Sequence, residues 1–363
     1  MNPHTRQLHE LGQRLWLDYI SRPLLLGGTL QRYIDDCSIT GLTSNPTIFD
    51  QALRSGAYDA GIRSLDASGL SGEEVFFELA LDDLRQAADL FRPMFDASDG
   101  ADGWVSLEVS PLLADNTAHS IQAAARLFEK ADRPNLFIKI PGTPEGIRAI
   151  EEVIFDGVPV NVTLLFSTAQ YLAAAHAYLR GIERRLAAGL NPRVASVASL
   201  FVSRWDVAVK DVIAPVFHNR LGIAVAMEAY KAYRELLASD RWGQLAAAGA
   251  RPQRLLWAST GTKDPAAPDT LYAQALVAPD TIDTLPEKTL MAIADHGLAA
   301  VPMPVDGGQA DAVLQEFRRE GVDLEALAER LQREGVEAFA TSWHAMLARI
   351  REKCLAPPVT PVP

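Results

Sequence analysis

The sequence is short of the features that mark several large classes of protein. It holds only two cysteines in 363 residues, Cys37 and Cys354, at opposite ends of the chain, so no disulfide framework can be drawn. Cys37 reads as a small buried hydrophobe. No apolar run reaches the roughly 18 residues of a membrane-spanning helix. The N-terminus, Met-Asn-Pro-His-Thr-Arg-Gln-Leu-His-Glu, lacks the apolar stretch of a signal peptide. A basic excess is missing too: 34 Lys+Arg face 46 Asp+Glu, a net charge of −12, which argues against nucleic acid as the main partner. The seven histidines show no ligand spacing such as His-x-x-x-His, so a zinc site is not expected. A cytoplasmic protein with no membrane partner is the expectation.

Lysine is scarce as well. Of the 34 basic residues only seven are Lys, at 130, 139, 210, 231, 263, 288 and 353. A chain that prefers Arg makes each Lys in an apolar segment a candidate for chemistry, because Lys can lose its proton and act as a nucleophile while Arg stays charged.

What the chain has is core. Apolar residues make up 48% of it, and no long repeat or charge block interrupts them. Short β-like runs alternate with longer helical patterns, which implies βα units and a parallel sheet. Strands are expected at 14–19, 36–43, 104–109, 135–140, 158–165, 194–201, 254–259 and 280–284. Residues 73–91 and 168–188 carry the three-to-four apolar spacing of helices buried on one face. The stretch 205–249 is expected to hold more than one helix, and 323–352 to form a helix pair broken at Gly335. This pattern predicts an α/β fold, a (β/α)8 barrel with additional helices. Residues 1–355 would form one domain and 356–363, Ala-Pro-Pro-Val-Thr-Pro-Val-Pro, a flexible tail.

Strands buried on both faces normally read as continuous Val/Ile/Leu. Several of these do not. Ser106 and Glu108 alternate with Leu107 and Val109, Lys139 with Ile138 and Ile140, and Asn161 and Thr163 with Val160, Val162 and Leu164. The first strand carries Asp18 and the sixth Ser199. Period-2 alternation puts each polar set on one face. With the apolar set against the helices, Asp18, Glu108, Lys139, Asn161, Thr163 and Ser199 point into the barrel, mostly near the strand ends where barrel enzymes keep their sites. A single pair, Lys139 with Glu108 or Asp18, would read as a structural ion pair. Six polar groups from five strands favour a site. Lysine in an apolar barrel beside carboxylates suits Schiff-base formation on a carbonyl substrate, with the carboxylates moving protons.

The residues also resemble a known family. Gly-Leu-Thr-Ser-Asn-Pro-Thr-Ile-Phe (41–49), Ile-Lys-Ile-Pro (138–141) with Gly146-Ile147-Arg148, and Asn-Val-Thr-Leu-Leu-Phe-Ser (161–167) look like the transaldolases. So do Ser-Leu-Phe-Val-Ser-Arg-Trp-Asp (199–206), Trp-Ala-Ser-Thr-Gly-Thr-Lys (257–263) and Leu-Pro-Glu-Lys-Thr (285–289). The likeness, closest to the longer bacterial members, runs from about residue 10 to 350, motifs in order.

The resemblance implies a cofactor-free enzyme of the pentose phosphate pathway that moves a dihydroxyacetone unit between sugar phosphates. Sedoheptulose 7-phosphate plus glyceraldehyde 3-phosphate interconvert with erythrose 4-phosphate plus fructose 6-phosphate. Lys139 would form the Schiff base, Asp18 would handle the proton of carbon–carbon cleavage, and Glu108 and Thr163 would hold a catalytic water. Thr43, Asn45 and Asn161 would lie at the substrate hydroxyls, and Ser199 and Arg204 at the phosphate. One departure stands out: where many members carry Arg shortly after the Ala-Ser of strand seven, this chain reads Ser259-Thr260-Gly261-Thr262-Lys263. Lys263 is the replacement, though a point charge lacks a bidentate fork. Lys288 is the rival nucleophile, expected in a loop at the rim. A monomer or homodimer is expected. Two other readings stay open: a lysine aldolase that releases its aldehyde, and a silent barrel that only binds.

Overall fold

Eight strands close into a parallel barrel: β1 (Arg14–Leu17), β2 (Ile39–Leu42), β3 (Trp104–Glu108), β4 (Leu136–Pro141), β5 (Val160–Leu165), β6 (Ser196–Phe201), β7 (Gln253–Ala258) and β8 (Ile282–Leu285), with β8 returning to β1. The computed structural model describes residues 2–355, and the Pro-rich segment 356–363 expected to form a tail lies outside the described residues. The (β/α)8 barrel read from the sequence is the fold, with each strand within a few residues of its expected place. Among the described residues no helix is long and apolar enough to cross a membrane.

Residues at the strand exits start the next helices. Asn45 accepts from Ile48 N at the head of Pro46–Ala52, Thr143 from Gly146 N at the head of Pro144–Phe155, and Ser167 forms a capping box with Gln170 at the head of Thr168–Ala187. Each side-chain oxygen satisfies a helix N–H that would otherwise lack a partner. The stretch 205–249 holds the expected multiple helices, Leu221–Leu237 and Asp240–Ala247, preceded by Ser203–Val209.

The C-terminal reading needs a correction. Leu324–Leu355 is one continuous helix, with Gly335 buried in its middle. A Cβ at Gly335 would lie 2.9 Å from Leu164 Cδ2 and 3.4 Å from Arg204 Nη1. The glycine marks a close approach to the barrel rim, not a break.

Inside, the barrel is divided into levels. Its floor is aromatic: Trp104 stacks on Phe137 at 4.1 Å between ring centres, and Trp16 lies 6.1 Å from Phe137. Gly41 is the only residue type that fits opposite, since a Cβ there would fall 2.5 Å from the Trp16 ring and 2.7 Å from the Trp104 carbonyl. Below the floor, Arg14 and Arg254 bracket Asp102 at 2.8 and 3.1 Å. Burial raises the Asp102 carboxyl, but the two guanidiniums outweigh it and hold it below the ordinary carboxylate value. Above the floor, alternation brings polar side chains into the barrel, while Leu107, Ile138, Ile140, Val160, Val162, Leu255 and Trp257 pack outward with the helices.

Asp283 breaks the outer pattern. It is fully buried on β8, in register with Leu15 and Trp257, and neither carboxylate oxygen has a hydrogen-bond partner. Burial pushes its carboxyl up to about 7, softened by the neighbouring Thr260 hydroxyl, which is itself committed to Thr284 O at 3.0 Å. A carboxyl whose folded value is raised adds stability that is complete at low pH and is lost as pH climbs through that value. Between the unfolded value near 3.9 and the folded one, the loss runs at about 1.4 kcal/mol per pH unit. Asp283→Asn, which stays neutral, is therefore expected to gain on the parent as pH rises from 5 to 8. Urea unfolding at both pH values checks this, and a constant difference would refute it.

Candidate active site

The expected polar set converges on the upper half of the barrel. Register places Glu108 of β3 beside Lys139 of β4, and Lys139 beside Asn161 of β5, so three neighbouring strands deliver one row. Lys139 and Glu108 are each 5% exposed, and their charged atoms lie 3.3 Å apart. The ion pair lacks hydrogen-bond geometry: Lys139 Nζ instead donates to Ser44 O at 2.9 Å, leaving Glu108 Oε2 without a hydrogen-bond partner. All seven lysines are described, and Lys139 is the only buried one. Lys288 is exposed in the first turn of the helix Glu287–His296, not in a loop, and does not enter the barrel.

Two further clusters flank the pair. Asp18, just past the end of β1, accepts from Thr43 Oγ1 at 2.8 Å, and Thr43 also meets Thr284 Oγ1 at 2.7 Å. On the opposite side Ser199 donates to Asn161 Oδ1 at 2.7 Å, while Asn161 Nδ2 reaches Ser106 Oγ at 3.2 Å. Thr163 Oγ1 is buried with no protein partner. Burial raises the carboxyls of both Asp18 and Glu108, and Lys139 pulls each back down. Both can therefore hold a proton closer to neutrality than a surface carboxylate. A buried amine, two tunable carboxyls and an unmet buried hydroxyl form the apparatus of carbonyl chemistry.

The rim supplies positive charge. Arg204 stands at the head of Ser203–Val209, with Phe201 and Phe339 packed on its guanidinium at 5.2 and 6.0 Å. Burial lowers its pKa, with Glu334 acting the other way, and a guanidinium remains charged regardless. Among the described residues it makes no hydrogen bond or ion pair, so its donors are uncommitted. The rest of that motif is structural: Trp205 Nε1 donates to Phe166 O at 2.9 Å, and Asp206 accepts from Leu221 N and Gly222 N. Lys263 is exposed on the loop after β7, and its charge is felt at Asp18. Asn45, half-buried at the same end, has its oxygen tied to the helix it caps, which leaves its amide N–H free to donate.

The structure thus brings Lys139, Glu108, Asp18, Thr43, Asn161, Ser199 and Thr163 into the barrel, with Arg204 and Lys263 at its mouth. Two contributors were not singled out from the sequence, and Ser106, read there in the alternation of its strand, was given no role. Thr284 sits at an inward position of its strand, so period-2 alternation could have found it. Ser44 acts through its carbonyl, for which no side-chain signal exists. Among the described residues no group of three or more His, Cys, Asp or Glu is placed to hold a metal ion.

Removing one member of a buried pair leaves the other charge uncompensated, a loss of about 3 kcal/mol. Glu108→Gln should accordingly lower the free energy of unfolding by about that much, read by urea melts at pH 8. An unchanged midpoint would mean the pair is better hydrated than its burial implies.

Comparison with known proteins agrees with this geometry. Residues 15–350 match the family model for transaldolase/fructose-6-phosphate aldolase. The chain is 46% identical over 359 residues to the transaldolase of Thiobacillus denitrificans, covering 95% of this chain and 99% of that one. It is 44% identical over 368 residues to the transaldolase of Thermobifida fusca, covering 98% and 100%. The transaldolase of Saccharopolyspora erythraea is 44% identical over 360 residues, with 97% and 98% covered. A match spanning every strand of the barrel, with a buried lysine on β4, leaves one conclusion: the chain belongs to the transaldolase/fructose-6-phosphate aldolase family.

Proposed function

We propose that the protein is a transaldolase that carries a dihydroxyacetone unit on Lys139 between sugar phosphates, in the pentose phosphate reaction read from the sequence. The observation that carries this reading is a single buried lysine paired with Glu108 inside a barrel of this family.

The roles follow from position. The neutral amine of Lys139 attacks the C2 ketone of the donor, forming a C–N bond and a carbinolamine. Loss of water, with Glu108 giving and taking the proton, leaves a protonated imine. Glu108 Oε2, ion-paired with Lys139 but without a hydrogen bond, and Thr163 Oγ1, buried without a partner, can bind the water that enters and leaves in this step. The imine withdraws electrons from C3, Asp18 takes the C4 hydroxyl proton, and the C3–C4 bond breaks. The aldose phosphate departs and the three-carbon enamine stays on Lys139. Attack of the enamine on an acceptor aldehyde runs the same steps backwards. Thr43 orients Asp18, and Asn161, positioned by Ser199 and Ser106, presents groups to the sugar hydroxyls, as does the free amide N–H of Asn45. Arg204 grips the phosphate through its uncommitted donors, with Lys263 as a second charge.

A trapping experiment and one variant test the assignment. Borohydride added with fructose 6-phosphate should fix a three-carbon adduct on Lys139, located by peptide mass spectrometry; an adduct elsewhere moves the nucleophile, and none at all supports the silent barrel. Asp18→Asn should lower kcat by about 10²- to 10⁴-fold with little change in KM, as loss of a general base does. A rise in KM with kcat unchanged would remove Asp18 from the cleavage step. Dependence of turnover on added erythrose 4-phosphate separates transfer from simple aldol release. The same reading places the protein in the cytoplasm as a monomer or homodimer, which size-exclusion chromatography would distinguish.

A further inference from the structure

We propose that the C-terminal helix is a positioning element of the site, in which Gln332 and Gly335 fix both the end of β5 behind Thr163 and the guanidinium of Arg204. This rests on the roles given above to Thr163 and Arg204, and it assigns work to residues more than 120 positions away in sequence from either.

The observations begin at the ends of β4 and β5. Gly142 N, just past β4, donates to Thr163 O at 2.7 Å. At the next residue, Leu164, the chain turns into the left-handed region with φ 58°, and the pairing of β5 with β6 slips between Val162 and Leu165. Leucine adopts that conformation rarely, so surrounding contacts must hold it. The turn leaves the Leu164 carbonyl facing away from the sheet. Gln332 Nε2 donates to it at 3.0 Å and to Gly142 O at 3.0 Å. One amide therefore ties the strand of Lys139 to the strand of Thr163.

One turn along the same helix face, Gly335 makes room for the Leu164 side chain and the Arg204 guanidinium together, at the distances a Cβ would violate. One more turn along, Phe339 lies under that guanidinium. The spacing 332, 335, 339 puts all three on one stripe. Among the described residues Arg204 has no hydrogen-bonding partner, so packing from Phe201, Phe339 and Gly335 is what aims it. Leu164 is 1% exposed and has little room to retreat from an added methyl.

The test compares Gly335→Ala and Gln332→Leu, using fructose 6-phosphate and unphosphorylated fructose as donors. Alanine is a better helix former than glycine, so a purely local effect would favour the helix. Gly335→Ala is expected to lower kcat/KM for fructose 6-phosphate about tenfold, through KM, while that for fructose changes less than about twofold. Adding Leu164→Ala should restore the phosphate preference by removing the atom that the methyl meets. Gln332→Leu, which loosens β5, should slow borohydride-trapped imine formation with both donors. Equal losses for both donors in Gly335→Ala that track a lowered Tm, or no loss in either variant, would overturn the inference. Arg204→Ala is the control: if it leaves the preference for the phosphorylated donor intact, the phosphate reading itself falls. If it abolishes that preference and neither helix variant moves it, only the role of the helix falls.

Discussion

The molecule is organised around the removal of one ammonium and one carboxylate from water. Lys139 and Glu108 lie where desolvation alone would cost each charge several kcal/mol, so every neighbouring element has to help hold them. The Ser44 carbonyl accepts a hydrogen bond from the lysine, Asp18 contributes a second negative charge, and the aromatic floor keeps bulk water from reaching the pair from below. The pair is poor as a fastener. Its worth lies in the chemistry a partly desolvated amine can do, which accounts for so much surrounding structure being spent on two side chains. Asp283 is another buried carboxylate, but outside the barrel and without a cation, and it destabilises the fold as it ionises.

Much of this was legible in the chain. Polar residues at alternate positions of otherwise apolar strands located Lys139, Glu108, Asn161, Thr163 and Ser199, because strand periodicity is local and rigid. Strand number followed from the succession of β-like runs and helical patterns. What stayed hidden depends on contacts between distant segments. Gly335 reads locally as a helix breaker, and its real role is visible only once Leu164 and Arg204 are seen against it. Gln332 is one of many polar helix residues until the β5 turn points a carbonyl at it. Ser44 acts through its backbone, which every residue shares. Asp283 alternates correctly but carries the wrong chemistry for its layer, and no pattern of spacing foretells that.

The choice of basic residue follows a division of labour. Arginines do the surface work: Arg184 clamps Glu152 with two hydrogen bonds at 2.7 and 2.9 Å, and Arg241 does the same to Glu183 at 2.6 and 2.9 Å. These tie neighbouring helices of the outer ring. Lysines outside the barrel either pair with acids, as Lys353 does with Asp59, or stand in solvent. With a net charge of −12, the chain repels anions at long range, so Arg204 and Lys263 at the mouth make a local reversal of sign against that background.

The aromatic floor has one more consequence. Trp16, Trp104 and Phe137 stop the barrel like a cork, and the Arg14–Asp102–Arg254 cluster seals the outside. Among the described residues the floor closes that end of the barrel, and the site faces the end that carries Arg204 and Lys263. Whatever leaves must clear the open end before anything else comes in, so the order of events is imposed by architecture and not by recognition. A half-finished cargo has to wait on its lysine with the door open, and its survival depends on how slowly a stray proton finds it.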